Sequence, residues 1–443
     1  MPAIHRHFIA LQGGRHLHHD PFMPNLVPHG TIQSVPGSGS SSNPATWGGR
    51  LPTTTDCAVI PAGSTVLVDR DFHVKRIKIE FGGSLRVLED RNVILAFETL
   101  QSIEGSVEIG SIDTAIKHEV IILDTPIDLD EDPAQYGHAL LCVGGRSIVK
   151  GFAKTTWSWL SVAPLAMQDY LELTQAPTGW QRGDKIVIPD TRQLRRDQDY
   201  WAAPEWEEHY VERVEGKRVF LQGPLLYNHF AGRDIKTGKL YYPFVENLSR
   251  NTIIRSENPV GVRGHTFCTD RCYVDWQYTA FIDMGRTTIE ALDTTEFDAE
   301  GEPTYVGGNT KARYPGHLHM VSGPRPGEPT PEGYQFLVRG CAVDGSPKWA
   351  FSFHNAHFGL VEQNVGYNCD GAIWVVEQGN ETGNTFLENA GIRSYGHLDA
   401  GDRGADRIDF GHEGSIWWIA GLGNRFQSNV GANARADFVN LYP

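Results

Sequence analysis

Two histidines separated by one residue, His317 and His319, have the spacing of a metal-binding pair. On a β-strand, residues i and i+2 project from the same face about 7 Å apart, so two imidazoles can bind one ion. His265 lies in an earlier segment, and His354 and Glu377 lie in later ones. Neutral imidazoles with one carboxylate suit zinc, manganese, iron, nickel or copper better than calcium. The pattern predicts a divalent-metal site, and the alternative is a stack of hydrogen-bonded histidines.

Short strands separated by glycines are the elements that must position these side chains. From residue 46 to about residue 110, apolar and polar residues alternate, as at Ile77 and Ile79. Alternation with period two over short runs predicts half-buried strands. The best helical candidate is one short segment near Trp201 to His209.

The second half of the chain contains an internal repeat. The motif NTFLENAG recurs as NRFQSNVG, and a partial copy reads LVEQNVG. The corresponding asparagines, Asn364, Asn389 and Asn429, are separated by 25 and then by 40 residues. A strand and an asparagine-containing turn every 20–25 residues or so is typical of one coil of a parallel β-helix, with 40 as a coil plus an insertion. Adjacent coils stack at about 4.8 Å, so the five predicted ligands could converge from neighbouring coils.

Composition agrees with a turn-rich all-β protein and excludes several classes. The 443 residues include 48 Gly, 20 Phe, 15 Tyr and 11 Trp, and 40% are hydrophobic, which excludes wholesale disorder. A net charge of −15 argues against a nucleic-acid partner. No apolar stretch reaches the roughly 18 residues of a membrane span. The apolar run from Phe8 to Leu11 is too short for a signal-peptide core, so we expect no signal peptide in this chain.

The six cysteines do not suggest the disulfide framework of a small secreted domain, because the chain is long and contains no CxxC pair. Cys268 and Cys272 could ligate a metal. Buried free thiols are the interpretation that we adopt.

Several motifs together resemble a known family. NPATWGGRLPTTTDCAVIPAGSTVLVD and GSVEIG resemble the G-eight (G8) domain, and ALLCVGGRSIVKGFAKTTWSWL resembles the segment that closes it. RGHTF, ARYPGHLHMV and FHNAHFGLVEQNVGYNCDGAIWVVEQGNETGNTF resemble the cell-migration-inducing and transmembrane hyaluronidases. The motifs occur in the family's order over residues 44–393. The resemblance implies a G8 module joined to a right-handed parallel β-helix, depolymerisation of hyaluronan and a role for divalent cations.

The chain departs from the family's pattern at three places. It has His-Leu-His at 317–319 where His-Phe-His is usual, which keeps both imidazoles. It has Gly-Ala at 371–372 where Gly-His is frequent, which removes a polar group. It has Glu-Gln at 377–378 where an acidic pair is usual.

If the chain cleaves a polysaccharide, as the resemblance implies, hydrolysis is one possible reaction. Hydrolysis normally needs one protonated and one ionised carboxyl group. Asp275, Asp283 and Glu377 are candidates, although each aspartate has an alternative role in a turn or a cap.

Elimination is the other possible reaction, and it needs a cation to neutralise a uronate carboxylate and a base to take the C5 proton. Arg286 and Arg313 are candidates for the first role, and a histidine or Tyr314 for the second. The residues leave hydrolysis and elimination both open.

A polyanionic substrate and a net charge of −15 require local cations or a bridging metal in the groove. A cluster that combines cations with aromatic residues suits sugar binding, and its alternative is a solvated loop. Its members are Arg192, Arg195, Arg196, Tyr200, Trp201 and Trp206. Further aromatic candidates, which could equally belong to the core, are Trp157, Trp159, Trp349 and Trp374.

The sequence thus predicts a His-rich extended arm over residues 1–43, a G8-like β-module over 44–165 and a parallel β-helix over 166–443. The predicted function is metal-assisted depolymerisation, by a glycoside hydrolase or a lyase, of a long, uronate-containing, hyaluronan-like polysaccharide. The alternatives are a non-catalytic glycan-binding or adhesion module and a His-ligated metal oxidoreductase. The resemblance also implies a secreted or extracellular protein.

Overall fold

A computed structural model describes residues 23–27, 30–192, 203–290, 292, 296–299, 303–396 and 410–441. Two predicted features lie wholly or partly outside these residues. They are the histidines of the arm, at positions 5, 7, 16, 18, 19 and 29, and four members of the cation–aromatic cluster, Arg195, Arg196, Tyr200 and Trp201.

Most strands of the described chain are parallel and coil around one core. Alternating side chains, as in the strand Ser64–Val68, point inward and are buried, because the strand period of two places every second residue on the core side. The only helices in the described ranges are short 3₁₀ turns at Pro44–Trp47 and Pro331–Gly333. None of the described helices is long and apolar enough to cross a membrane. The all-β parallel β-helix that the sequence predicts is confirmed.

Three faces of parallel strands surround the core. The first and second faces are joined by two long strands, Ala139–Lys150 and His265–Gln277, which bend across the corner between them. The other strands of the first face are Ile32–Gln33, Cys57–Ile60, Arg76–Ile79, Thr99–Ile103, Gly316–Val321, Phe351–His354, Trp374–Val376, Trp417–Ile419 and Val439–Leu441. Those of the second face are Gly37–Ser40, Ser64–Val68, Ser84–Val87, Ser106–Ile109, Phe336–Arg339, Leu360–Glu362, Thr382–Leu387 and Gly423–Gln427. Those of the third face are Phe72–His73, Val93–Phe97, His118–Ile122, Thr252–Ser256, Thr279–Ile282, Ala342–Ser346, Val365–Cys369, Ala390–Ser394 and Val430–Ala434.

An antiparallel sheet is inserted between the two long strands. Its strands are Trp157–Trp159, Tyr170–Glu172, Lys185–Ile188, Glu207–Glu215, Arg218–Leu221 and Phe244–Asn247. It has its own apolar core, and a second apolar cluster packs it against the third face of the β-helix. Two small hairpins complete the described strands, Gly232–Arg233 with Leu240–Tyr241 and Glu296–Phe297 with Pro303–Tyr305.

The predicted helix near Trp201 to His209 is wrong in its described part. Glu207–Glu215 is a strand that pairs with Lys185–Ile188 on one side and with Arg218–Leu221 on the other. Cross-strand pairing on both sides decides the conformation here, and it overrides a weak local preference.

The sheet is continuous across residue 165. Ala139–Lys150 pairs in parallel with His265–Gln277 from Ala139 opposite His265 to Lys150 opposite Gln277. The strands of the predicted β-module therefore form the first coils of the same β-helix, while the boundaries at residues 43 and 165 stay predictions.

Stacked asparagines hold the corner between the second and third faces. The side-chain amide of Asn364 donates to Oδ1 of Asn389 over 2.8 Å, and that of Asn389 donates to Oδ1 of Asn429 over 3.0 Å. The prediction that these residues occupy equivalent turns is confirmed. The residues that precede them, Gln363, Glu388 and Ser428, have φ values of 53°, 53° and 54°.

All six cysteines are free thiols, and five of them are buried. Cys142 and Cys268 are opposite each other on the two long strands, and Cys272 is buried beside them. No disulfide links the six, which agrees with the interpretation as buried free thiols.

Candidate metal centre

Three consecutive coils of the first face carry four of the five predicted ligands on their outer side. In Gly316–Val321, Leu318 belongs to the core, so His317 and His319 both point away from it. Their ring centroids are 5.3 Å apart, which places both imidazoles on one face, as expected. One coil further, His354 lies opposite His319, and its ring centroid is 4.6 Å away.

His317, His354 and Glu377 form the group that could hold a metal ion among the described residues. One ligand atom from each lies within 4.8 Å of the others. The Nδ1 of His354 is 3.5 Å from Oε1 of Glu377. Two ligands bound at about 2.1 Å to one ion can be up to about 4.2 Å apart, so small shifts suffice to bind an ion. We call these three residues the metal triad.

The environment of His317 fits a ligand. Its Nδ1 lies 3.2 Å from the carbonyl oxygen of Ala312, which can only accept, so Nδ1 carries the proton. Its Nε2 is buried and has no hydrogen-bond partner among the described residues. Burial lowers the pKa of His317 to about 3, so the imidazole is neutral at physiological pH. A neutral imidazole oriented through its other nitrogen is the usual state of a histidine that binds a metal.

Two neighbours orient the rest of the triad. The hydroxyl of Ser352 donates to Oε2 of Glu377 over 2.7 Å. The Nε2 of His354 lies 2.8 Å from Oε1 of Gln378, so a proton on Nε2 leaves the lone pair of Nδ1 facing Glu377. Sequence reasoning missed both roles. The signal for Ser352 was its position two residues before His354, on the same side of the strand.

His265 lies outside the metal triad, at the start of a long strand. Its Nδ1 is 3.2 Å from Nη1 of Arg286. Burial and the nearby Arg286 charge hold the pKa of His265 well below its usual range. Phe267 lies two residues after His265 on the same strand. Its ring contacts both His317 and His319, and its centroid is 5.1 Å from each of theirs.

The two arginines proposed for uronate binding point into the protein. Arg313 is 1% exposed, and its Nε and Nη2 donate to the carbonyl oxygens of Gln135 and Ala134 over 2.8 and 2.6 Å. Its guanidinium also lies 4.4 Å from the ring centroid of Tyr136. Arg286 donates to the same Gln135 carbonyl. Both side chains hold this segment against the first face.

The aspartates predicted to be catalytic lie elsewhere. Asp275 is on the second face, where its Oδ2 is 2.7 Å from Nζ of Lys150. Asp283 follows a strand of the third face, has a φ of 52° and lies 3.4 Å from Nη2 of Arg263. Because the two lie on different faces, the structure brings neither the pair nor either member to Glu377.

The predicted aromatic residues divide into core and surface. Trp349 and Trp374 are 2% and 0% exposed. Trp157 is half-buried, and Trp159 is 42% exposed. Of the described cluster members, Arg192 is paired with Asp190, its Nη2 2.6 Å from Oδ2.

Comparison with known families matches two parts of the chain. The model of the G8 domain matches residues 46–162, and that of the CEMIP beta-helix matches residues 292–442. The chain belongs to the family that joins a G8 domain to a CEMIP-type β-helix. This assignment agrees with the resemblance seen in the motifs and with the three-faced fold.

Relatives of this G8–CEMIP chain are much longer. Human Fibrocystin-L is 26% identical over 380 residues, which are 78% of this chain and 8% of Fibrocystin-L. A G8 domain-containing protein of Dictyostelium discoideum is 22% identical over 362 residues, which are 78% of this chain and 28% of that protein. The chain thus spans less than a third of the length of these relatives.

Solved structures that match the chain include two phage tailspikes. The gp54 tailspike of Acinetobacter baumannii bacteriophage AP22, in complex with a capsular saccharide, gives a TM-score of 0.19 and 12% identity over 83% of this chain and 64% of that chain. The gp61 tailspike of Pseudomonas phage phi297 gives a TM-score of 0.18 and 12% identity over 83% and 68%. TM-scores this low support no inference about function.

Proposed function

We propose that the chain binds a long polysaccharide and cleaves it with a divalent metal ion held by the metal triad. The observation that carries the proposal is the convergence of His317, His354 and Glu377 from three consecutive coils, with Nε2 of His317 buried and without a hydrogen-bond partner in the described part of the chain. The polysaccharide is supported by membership of the G8–CEMIP family and the resemblance to hyaluronidases. The same relationship supports an extracellular location.

A divalent cation in this position would polarise a sugar oxygen or carboxylate, or lower the pKa of a water molecule. The chain's own residues prepare the ligands for it. Ala312 fixes the proton of His317 on Nδ1, Ser352 holds Glu377, and Gln378 orients His354. Glu377 and Gln378 are partly exposed while the histidines are buried, so a substrate would approach along this edge.

The residue that would transfer a proton during cleavage is inferred from its position. The two-carboxylate arrangement of ordinary glycoside hydrolysis has no support from Asp275 and Asp283, which lie on other faces. We assign the role to His319, because its ring contacts His354 and projects from the same side of the strand as His317.

A non-catalytic glycan-binding module is the second candidate, and burial favours it. His317 and His354 are 0% and 3% exposed. A closed metal site is typical of a structural role, whereas a catalytic site keeps a coordination position open to substrate.

The test compares three samples of the protein: as purified, stripped with a chelator, and reloaded with zinc or manganese. Each is incubated with hyaluronan, chondroitin, alginate and a neutral glucan, and chain size is followed by size-exclusion chromatography. We expect reloaded protein to shorten a uronate-containing chain, and stripped protein and Glu377→Gln to lose this activity. New ultraviolet absorbance from an unsaturated uronate would identify elimination.

The matched control is His357→Ala. His357 is a half-buried histidine outside the triad, and its Nε2 bonds to Asn355 over 2.9 Å. It should retain both metal and activity. The glycans are also tested for binding by affinity gel electrophoresis. If a glycan in the gel retards the reloaded protein but no glycan is shortened, cleavage is refuted and the binding module is supported.

A further inference from the structure

A groove of about 740 Å³ lies between the antiparallel insertion and the β-helix. One wall is formed by residues 153–159, 174–176 and 178 of the insertion. The other wall includes Gln363, Glu388 and Ser428 of the β-helix. None of the described residues that line the groove belongs to the first face, so the groove is separate from the metal triad.

The β-helix wall presents a regular row of polar groups. Gln363, Glu388 and Ser428 occupy the same corner in three consecutive coils, because each precedes one of the stacked asparagines. Coils stack at about 4.8 Å, so the row spans about 10 Å along the axis. Since the asparagines turn inward, the residues before them remain outside, where they offer an amide, a carboxylate and a hydroxyl. A polymer lying along the axis would meet a polar group at every coil.

The opposite wall presents an aromatic surface that is held in place. Trp159 is 42% exposed, and its ring packs edge to face with Trp157 and Phe244, at centroid distances of 5.7 and 5.9 Å. The indole Nε1 of Trp157 donates to the carbonyl oxygen of Glu388 over 2.7 Å. This hydrogen bond fixes the wall formed by the insertion to the β-helix. An exposed indole fixed in this way is a surface on which the CH-rich face of a pyranose ring can stack.

The charges in the groove indicate which kind of sugar it accepts. Among the described lining residues, the cation is Lys154, which is buried with its Nζ 2.6 Å from Asp184. The carboxylate is Glu388, whose Oε2 accepts from the Gln363 amide over 3.1 Å. Among the described lining residues, a uronate chain would meet this carboxylate without a compensating cation, whereas a neutral chain would meet hydroxyl and amide partners.

We propose that this groove binds a neutral glycan chain, with one ring stacked on Trp159 and sugar hydroxyls bonded to Gln363, Glu388 and Ser428. This site does not rest on the proposed metal-assisted cleavage. It supplies a second contact with carbohydrate. This contact favours a neutral chain, whereas the substrate proposed for the metal triad contains uronate.

Binding is measured by isothermal titration calorimetry on the full chain. The probes are hexasaccharides of cellulose, chitin and xylan, a high-mannose oligosaccharide and a hyaluronan hexasaccharide. We expect at least one neutral probe to bind, and the hyaluronan probe not to bind at the groove. Trp159→Ala should weaken neutral binding about tenfold, in line with the loss of an aromatic contact, and Trp159→Phe should restore part of it.

Gln363→Ala provides a second variant, at an exposed position. It should weaken the same neutral probe, whereas Phe230→Ala, an exposed aromatic that does not line the groove, should not. His317→Ala should keep neutral binding, so failure at the metal triad remains distinguishable from failure here. The proposal is overturned if every neutral probe has a Kd beyond about 1 mM, if the Trp159 and Gln363 variants bind like the wild type, or if the hyaluronan probe binds the groove more tightly.

Discussion

The Nδ1 of His354 lies 3.5 Å from Oε1 of Glu377, the residue at the equivalent place one coil further along the β-helix. Neither residue is near the other in sequence, and only the stacking of two coils brings an imidazole nitrogen to a carboxylate. With an imidazole nitrogen of His317 beside them, the three residues offer two imidazole nitrogens and one carboxylate oxygen.

Replacing His317 with Ala should remove most of the bound metal, because it deletes the ligand whose Nε2 has no hydrogen-bond partner within the described ranges. The metal content of the variant, measured by inductively coupled plasma mass spectrometry after reloading with zinc, should fall well below that of the wild type and of His357→Ala. Secondary structure by circular dichroism should be unchanged, because the side chain lies outside the core. Full metal occupancy in the variant would refute the metal triad.

Replacing Phe386 with Ala should destabilise the fold by roughly 3–5 kcal/mol, the usual cost of a large cavity in a core. Phe386 is fully buried, and its ring stacks on that of Phe426 one coil away, with centroids 4.9 Å apart and planes 7° from parallel. Urea denaturation measures the loss. Phe426→Ala should cost about half as much, because Phe426 is only half-buried. Equal costs below about 1 kcal/mol would contradict the packing of the coils.

Asp56 should make stability depend on pH in the acid range. Its side chain accepts from both Nη atoms of Arg50 at 2.7 Å, and this pairing holds the pKa of Asp56 well below its usual 3.8. A carboxyl whose pKa is lower in the folded state contributes stability above its unfolded pKa and loses it as the pH falls through the folded pKa. The urea midpoint should therefore fall as the pH drops below about 4. Asp56→Asn should have a lower urea midpoint at neutral pH, and its midpoint should depend less on pH in the acid range. If the variant has the same pH profile as the wild type, the pair of Asp56 and Arg50 does not contribute to stability.

The cysteines should be protected from reagent in the folded protein. Five are buried, and Cys57 is half-buried with a pKa that burial raises. Titration with Ellman's reagent should detect at most Cys57 under native conditions and all six thiols in urea. Fewer than six in urea without reductant would indicate a disulfide and contradict the structure.

Local pattern was enough to predict the repeating part of the fold. The spacing of Asn364, Asn389 and Asn429 predicts a coil with an asparagine at one corner, and the amide ladder that they form is what the structure shows. The same holds for His317 and His319, because the strand period of two places them on one face whatever the rest of the chain does.

The tertiary structure determines which residues of neighbouring coils lie side by side. The sequence offers five ligands, but the connections between coils vary in length, so the alignment of His265 with the later strands could not be read from spacing. Among the described residues, His317, His354 and Glu377 form the group whose ligand atoms could hold one ion. Arg313 offers a more distant example, because its partner Gln135 lies 178 residues away and binds the guanidinium that the sequence assigned to a sugar.

The antiparallel insertion could not be predicted from the sequence for the same reason. Its strand Glu207–Glu215 exists because Lys185–Ile188 and Arg218–Leu221 flank it, and its packing on the β-helix creates the groove beside Trp159. The sequence by itself determined the strand period, the corner residues and the ligand types, since these depend on neighbours a few residues away. The identity of the metal triad and the existence of the groove depend on contacts between distant segments, and only the folded chain fixes those.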